Sequence, residues 1–103
     1  MKTLIPMFQR FGSFLAVGEE GAALRFSEVE PSISKGHQVV FDMEGVTNMT
    51  DSFANTCFTT LFVHLDNQIQ GKVSFANCSP LIKSFIQTSL ARAQVLAKRQ
   101  SGE

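Results

Sequence analysis

The sequence predicts an α/β domain with a mainly parallel sheet and alternating helices. Three observations carry that prediction. Short runs rich in β-branched residues or Phe recur at residues 11–17, 38–43 and 72–75. A longer stretch follows each, with apolar residues at intervals of three and four. The middle run, Gln38-Val39-Val40-Phe41-Asp42-Met43, is almost continuously apolar, as expected of a central strand covered on both faces. Short connections and right-handed crossovers then give the order β-α-β-α-β-α.

The first strand is expected over Phe11 to Val17, closed by Gly18. In the next segment Ala22, Phe26, Val29 and Ile33 recur at helical spacing, and Pro31 predicts a break or restart near Glu30. A hairpin turn at Gly18-Glu19-Glu20-Gly21 with a strand over Ala23 to Phe26 is the alternative, and the spacing favours the helix. Whether residues 19–34 form one helix or a broken one stays open. Lys35-Gly36 introduces the second strand, and Glu44-Gly45 ends it. Asp51 to Asp66 is expected as an amphipathic helix, because Ala54, Cys57, Phe58, Leu61, Phe62 and Leu65 line one face. Thr50, Asp51 and Ser52 all suit its start as caps. Gly71 precedes the third strand. Ser79-Pro80 is a cap followed by Pro at the first helical position. The last helix should run to about Arg99, with Ile82, Phe85, Ile86, Leu90 and Ala93 buried, Lys98 and Arg99 in its last turn, and Gly102 beyond.

With 103 residues the chain is expected to be one domain, 1–103, with an ordered core of about 8–98. Nine Lys and Arg balance nine Asp and Glu, so nothing in the overall charge points to nucleic acid or an anionic membrane. The 44% hydrophobic content argues against disorder. The uncharged stretch from Ser52 to Leu65 is too short and too polar to span a bilayer, and residues 1–10 lack the long apolar region of a signal peptide. Cys57 and Cys78 lie twenty-one positions apart without ligands at metal spacing, so no disulfide or metal site is expected and the cytoplasm is the default compartment. All ten aromatics are Phe, which suits a core and supplies no Tyr or Trp platform for a ligand.

Partners of an open α/β sheet meet the loops beyond the carboxyl ends of its strands. That rule selects residues 42–52 and 76–80. The first segment holds Asp42, Glu44 and Asp51 with Ser52 at a helix start. A receiver-like magnesium site from those three acids is disfavoured, because Glu19-Glu20 supplies the required acidic pair only on a forced alignment. His37 and His64 stand apart from other ligands, and His64 is expected as a solvated surface residue. Cys57 falls on the apolar stripe as a small buried hydrophobe, whereas Cys78 precedes a helix start, where a thiolate gains some stabilisation. Arg92, Lys98 and Arg99 form a small basic end, expected as a solvated face.

The segment Val39-Val40-Phe41-Asp42-Met43-Glu44-Gly45-Val46-Thr47-Asn48-Met49-Thr50-Asp51-Ser52-Phe53-Ala54 resembles the centre of STAS domains, the sulfate-transporter and anti-sigma-factor-antagonist family. It is more closely similar to the STAS-like family of unknown function, whose pattern is an apolar strand, Asp-Phe-x-Gly-Val, a short link and Ser-Phe-Ala. Residues 73–86 resemble that family's third strand and final helix, and the likeness covers about residues 11–95. The resemblance implies a STAS-like fold and a non-enzymatic protein–protein interaction module of bacterial signalling or regulation, without cofactor. In the antagonists a Ser at this helix start is phosphorylated by a histidine-kinase-type ATPase, and the matching position is Ser52. Where the antagonists read Asp-Ser-Ser-Gly, this chain reads Thr50-Asp51-Ser52-Phe53. Phe53 in place of Gly favours the reading of Ser52 as a helix cap over that of a switch.

The expected contact surface is Thr47, Asn48, Met49, Thr50, Asp51, Ser52 and Phe53 with Asn77, Cys78 and Ser79, with Met49 or Phe53 exposing apolar area. Its partner would be a protein, such as a histidine-kinase-type ATPase or a regulator, and a homodimer is compatible with the sequence. The alternative is a small-ligand or nucleotide-binding domain that uses the same helix start as an anion site.

Overall fold

A computed structural model describes residues 1–66 and 69–101, with side chains up to 96. Three parallel strands form the main sheet: β1 (Lys2–Pro6), β3 (Gln38–Asp42) and β5 (Val73–Ala76), in the order β1-β3-β5. The run at 38–43 is central, as expected. The first strand is not. Phe11 to Val17 contributes only β2 (Phe14–Leu15), which pairs in parallel with β4 (Asn48–Met49) as a separate two-stranded ladder. The outer place in the main sheet belongs to β1, whose Ile5 is fully buried, so the core begins well before residue 8. Pro6 sits at the end of an edge strand, where its missing N–H breaks no ladder. A short helix, α1 (Met7–Phe11), follows, and Gly12 ends it at φ +87°, a conformation other residues rarely adopt.

Residues 18–34 form one helix, α2, built from Gly18–Leu24, a π-helical turn at Arg25–Val29 and Glu30–Ser34. The expected break near Glu30 does not occur. Pro31 has no N–H to return to the preceding turn, and the widened π turn just before it accommodates the ring without ending the helix. The second long helix, α3 (residues 51–64), also contains a π-helical stretch, Ala54–Thr59. It ends two residues earlier than expected, with Asp66 at φ +54°. Helix α4 (Pro80–Ser101) is capped by Ser79, whose Oγ accepts the Ile82 N–H at 3.2 Å. Ile82 and Ala93 are buried, and Phe85, Ile86 and Leu90 pack partly against the core. The side chains of Lys98 and Arg99, and Gly102, lie outside the described residues.

Strands are added in one direction, so crossovers of one hand deliver the helices to one face of the sheet. On that face Phe41 stacks on Phe75 of the neighbouring strand at 5.3 Å and meets Phe58 of α3 edge-on at 5.2 Å. Thr3 reaches Ser32 of α2 on the same side. The other face is open. Along β3, buried Val39 and Phe41 alternate with exposed Gln38 and half-buried Val40 and Asp42, and beside Val40 stand Leu4, 60% exposed, and exposed Ser74. The continuous apolar run therefore does not mark a strand covered on both faces. Val40 is apolar but points away from the helices.

Helices α2 and α3 are joined by an ionic cluster. Glu30 Oε2 lies 2.7 Å from Arg25 and 2.7 Å from His64 Nδ1, and Arg25 Nε donates to the Thr56 carbonyl at 2.8 Å. His64 is exposed, as expected, yet it is engaged in this cluster.

Candidate functional site

Two loops meet beyond the carboxyl ends of β3 and β5. Asp42 Oδ1 accepts the Glu44 N–H and the Asn77 side-chain amide, each at 3.0 Å, and so ties one loop to the other. The Asn77 bond, with the Glu44 amide behind it, holds the Asp42 carboxyl below its ordinary range. Gly45 turns at φ +89°, and the Phe8 ring lies so close over it that a Cβ there would overlap the ring.

From Val46 the chain runs beside the loop that follows α1. Thr47 donates to the Ser13 carbonyl from its N–H at 2.8 Å and its hydroxyl at 3.2 Å. Thr50 donates its N–H to the Leu15 carbonyl and its hydroxyl to the Ala16 carbonyl, each at 2.9 Å. The same Thr50 Oγ1 accepts the Phe53 N–H at 3.1 Å, which makes Thr50 the cap of α3. Ser52 is therefore not the cap. It stands exposed in the first turn, and its Oγ lies against Gly18 at the start of α2. Thr56 Oγ1 seals this junction, 2.7 Å from the Gly18 carbonyl and 2.9 Å from that of Ser52.

Met49 and Phe53 correct the expected contact surface. Both are buried, because the β2–β4 ladder turns Met49 inward and the α3 stripe carries Phe53 under the loop, where it meets Phe11 edge-on at 5.6 Å. The apolar area on this side comes instead from Phe14, 49% exposed, and Val17, 46% exposed. Thr47, Asn48, Asp51 and Ser52 are exposed, and Thr50 is half-buried beneath them. Asp51, next to Ser52, and Glu19, next to Gly18, make the surroundings of Ser52 acidic, whereas Glu20 lines a separate hollow with Arg10, Phe11 and Glu28. Sequence reasoning missed Phe14, Val17 and Gly18. The one hint was a Gly in the first helical turn with no capping side chain before it.

The second segment is separate from Ser52. Asn77 and Cys78 line a hollow of about 500 Å³ with Phe75, Lys83, Ile86 and Gln87, whereas Ser79 serves as the α4 cap. Burial raises the Cys78 thiol, with Lys83 acting weakly in the opposite sense, so the expected stabilisation of its thiolate does not prevail. Cys57 is pushed up to about 12 by burial and is inert. Among the described residues, no three Asp, Glu, His or Cys side chains gather as a metal site, and no helix is long and apolar enough to cross a membrane.

A family model described as a STAS-like domain of unknown function matches residues 20–83, more than half of the chain. The chain belongs to the STAS-like domain family. The match begins in α2 and ends in α4, so β1, β2 and Gly18 lie outside it. This STAS-like domain thus builds part of its Ser52 surface from residues the family model does not cover. No curated protein and no solved structure matches the chain at a significant level.

Proposed function

We propose that this STAS-like domain is a non-enzymatic protein–protein interaction module of bacterial signalling or regulation, acting in the cytoplasm through the surface around Ser52. The carrying observation is that exposed Ser52 stands in an apolar and acidic surface with Phe14, Val17, Glu19 and Asp51, with its own structural duty taken over by Thr50. Exposed Phe14 and Val17 fit a docking patch. The acidic rim suits a basic partner surface and disfavours an anionic ligand at the helix start, which favours a protein partner over the nucleotide-binding alternative.

A hydroxyl that neither caps nor is buried is free to accept the γ-phosphoryl group of ATP from a partner kinase of the histidine-kinase ATPase type. The added charge of about −1.5 to −2 would lie beside Asp51 and exposed Val17, where its desolvation cost opposes burial of this apolar surface against the partner. Gly18, in place of a larger residue, leaves room for the Ser52 side chain.

Affinity capture from the native cell with the parent chain, Ser52→Asp and Phe14→Asp tests the reading. A protein retained by the parent and lost with both variants, together with phosphate on Ser52 by mass spectrometry, supports it. Equal capture by all three, with Ser52 unmodified under varied growth conditions, overturns it.

A further inference from the structure

The sheet face opposite the helices carries a pattern that no residue of the Ser52 surface shares. Strand register arranges it in three rows across β1, β3 and β5. The first row is Lys2, Gln38 and Lys72, the second Leu4, Val40 and Ser74, and the third Pro6, Asp42 and Ala76, with Glu44 just beyond. Lys72 belongs to the first row because Val39 N–H bonds its carbonyl at 2.8 Å and its side chain alternates with that of buried Val73. One end of the face is basic, the other acidic, and the centre holds exposed Leu4 beside half-buried Val40.

We infer that this face binds a second copy of the chain, sheet against sheet, about a two-fold axis along the Leu4-Val40-Ser74 row. Such an axis reverses the strand direction and keeps each strand over its own copy. Leu4 then meets Leu4 and Val40 meets Val40, while the Lys2 and Lys72 row of one copy lies over the Asp42 and Glu44 end of the other. The pairing is isologous and closed, so it stops at two copies. Turning the second copy about an axis along the strands would instead set lysine over lysine, and the charge pattern excludes it.

Two further observations fit the same occupant. Parallel sheets are covered on both faces almost without exception, and a second sheet packed at about 10 Å supplies the missing layer. At the acidic end, Pro6, Phe8, Gln9, Asp42, Glu44 and Gly45 line a hollow of about 330 Å³. It lies where the Lys2 side chain of the second copy arrives, with Phe8 and Pro6 for its aliphatic stem and carboxylates for its ammonium group. Three short strands bury little area, so the expected dimer is weak, with a Kd on the order of 10 μM.

Sedimentation equilibrium of the parent chain from about 1 μM to 1 mM tests the inference, beside Leu4→Asp and the double variant Lys2→Glu/Lys72→Glu. The expected result is a reversible monomer–dimer equilibrium that weakens in high salt and by at least about tenfold in each variant. Far-UV circular dichroism establishes that the variants are folded; the doubly charged variant decides if Leu4→Asp is not. A parent that stays monomeric to 1 mM, higher oligomers, or a dimer indifferent to the folded variants overturns the inference. Because Ser52 lies on the helix side, loss of partner capture with dimerisation intact, or the reverse, separates this result from the proposed function.

Discussion

The Ser52 hydroxyl occupies the space in which a side chain at position 18 would begin, so Gly18 and Ser52 are a packing pair across the starts of α2 and α3. Gly18 is helical, and Ala is ordinarily the better helix former there by about 1 kcal/mol. The contact reverses that sign. Gly18→Ala should destabilise the domain by about 1–3 kcal/mol through overpacking, and Ser52→Gly in the same chain should recover much of the loss. Urea unfolding of the two variants measures it; a more stable Gly18→Ala would show that the helix starts are not in contact.

Capping separates the two hydroxyls of this loop. Thr50→Ala removes both the α3 cap and the bond to Ala16, and should cost about 1–2 kcal/mol. Ser52→Ala should change stability by less than about 0.5 kcal/mol. Equal losses in thermal melts would return the capping role to Ser52.

Adjacent valines on β3 report which face is covered. Val39→Asp puts an unpartnered charge under the helices and should unfold the domain or cost several kcal/mol, about 4 or more. Val40→Asp, on the open face, should cost only about 1–2 kcal/mol. Comparable losses in guanidinium unfolding of the two variants would mean that both faces are covered.

Acid should loosen the α2–α3 junction. Burial works to raise the Glu30 carboxyl, but the bonds from Arg25 and His64 outweigh it, and the folded-state value lies below the unfolded one. The folded protein therefore binds fewer protons at this site, and its contribution to stability is complete above the unfolded pKa. It is lost as pH falls through the folded value. Glu28, lowered by its hydrogen bond to Arg10, adds a smaller, solvent-screened effect in the same direction. Urea midpoints between about pH 6 and pH 3 should fall for the parent and fall less for Glu30→Gln. Identical slopes would remove Glu30 from the junction's energetics.

Ser89 is buried on α4, and its hydroxyl has no hydrogen-bond partner among the described residues. Ser89→Ala removes that penalty and improves helix propensity, so it should stabilise the domain by about 1 kcal/mol. A loss on calorimetry would indicate that the hydroxyl is bonded.

Local chemistry decided much of this outcome. The 3–4 spacing from Ala54 to Leu65 placed α3 and its buried stripe, and Ser79-Pro80 placed the start of α4, because those signals act within one or two turns. The β-branched run at 38–42 placed the central strand for the same reason. The failures share a different cause. Leu4-Ile5 carries too short a signal, ended by Pro6, to be told from a loop, and becomes a strand only because β3 offers it a parallel edge. Phe11 to Val17 has the composition of a strand, yet a helix ending at positive-φ Gly12 leaves only two residues to pair.

The sequence by itself determined the three long helices, the central strand and the family motif around residues 39–54, since periodicity, caps and turn residues are local properties of the chain. Only the tertiary structure decided which side of each element is covered. Met49 and Phe53 are apolar in either setting, and the β2–β4 ladder and α3 packing turned them inward and left Phe14 and Val17 outside. The same holds for Ser52. Its residue type suits a cap or a free hydroxyl equally, and Thr50, drawn to the Leu15 and Ala16 carbonyls thirty-five and thirty-four positions away, took the cap because distant backbone held its hydroxyl in place.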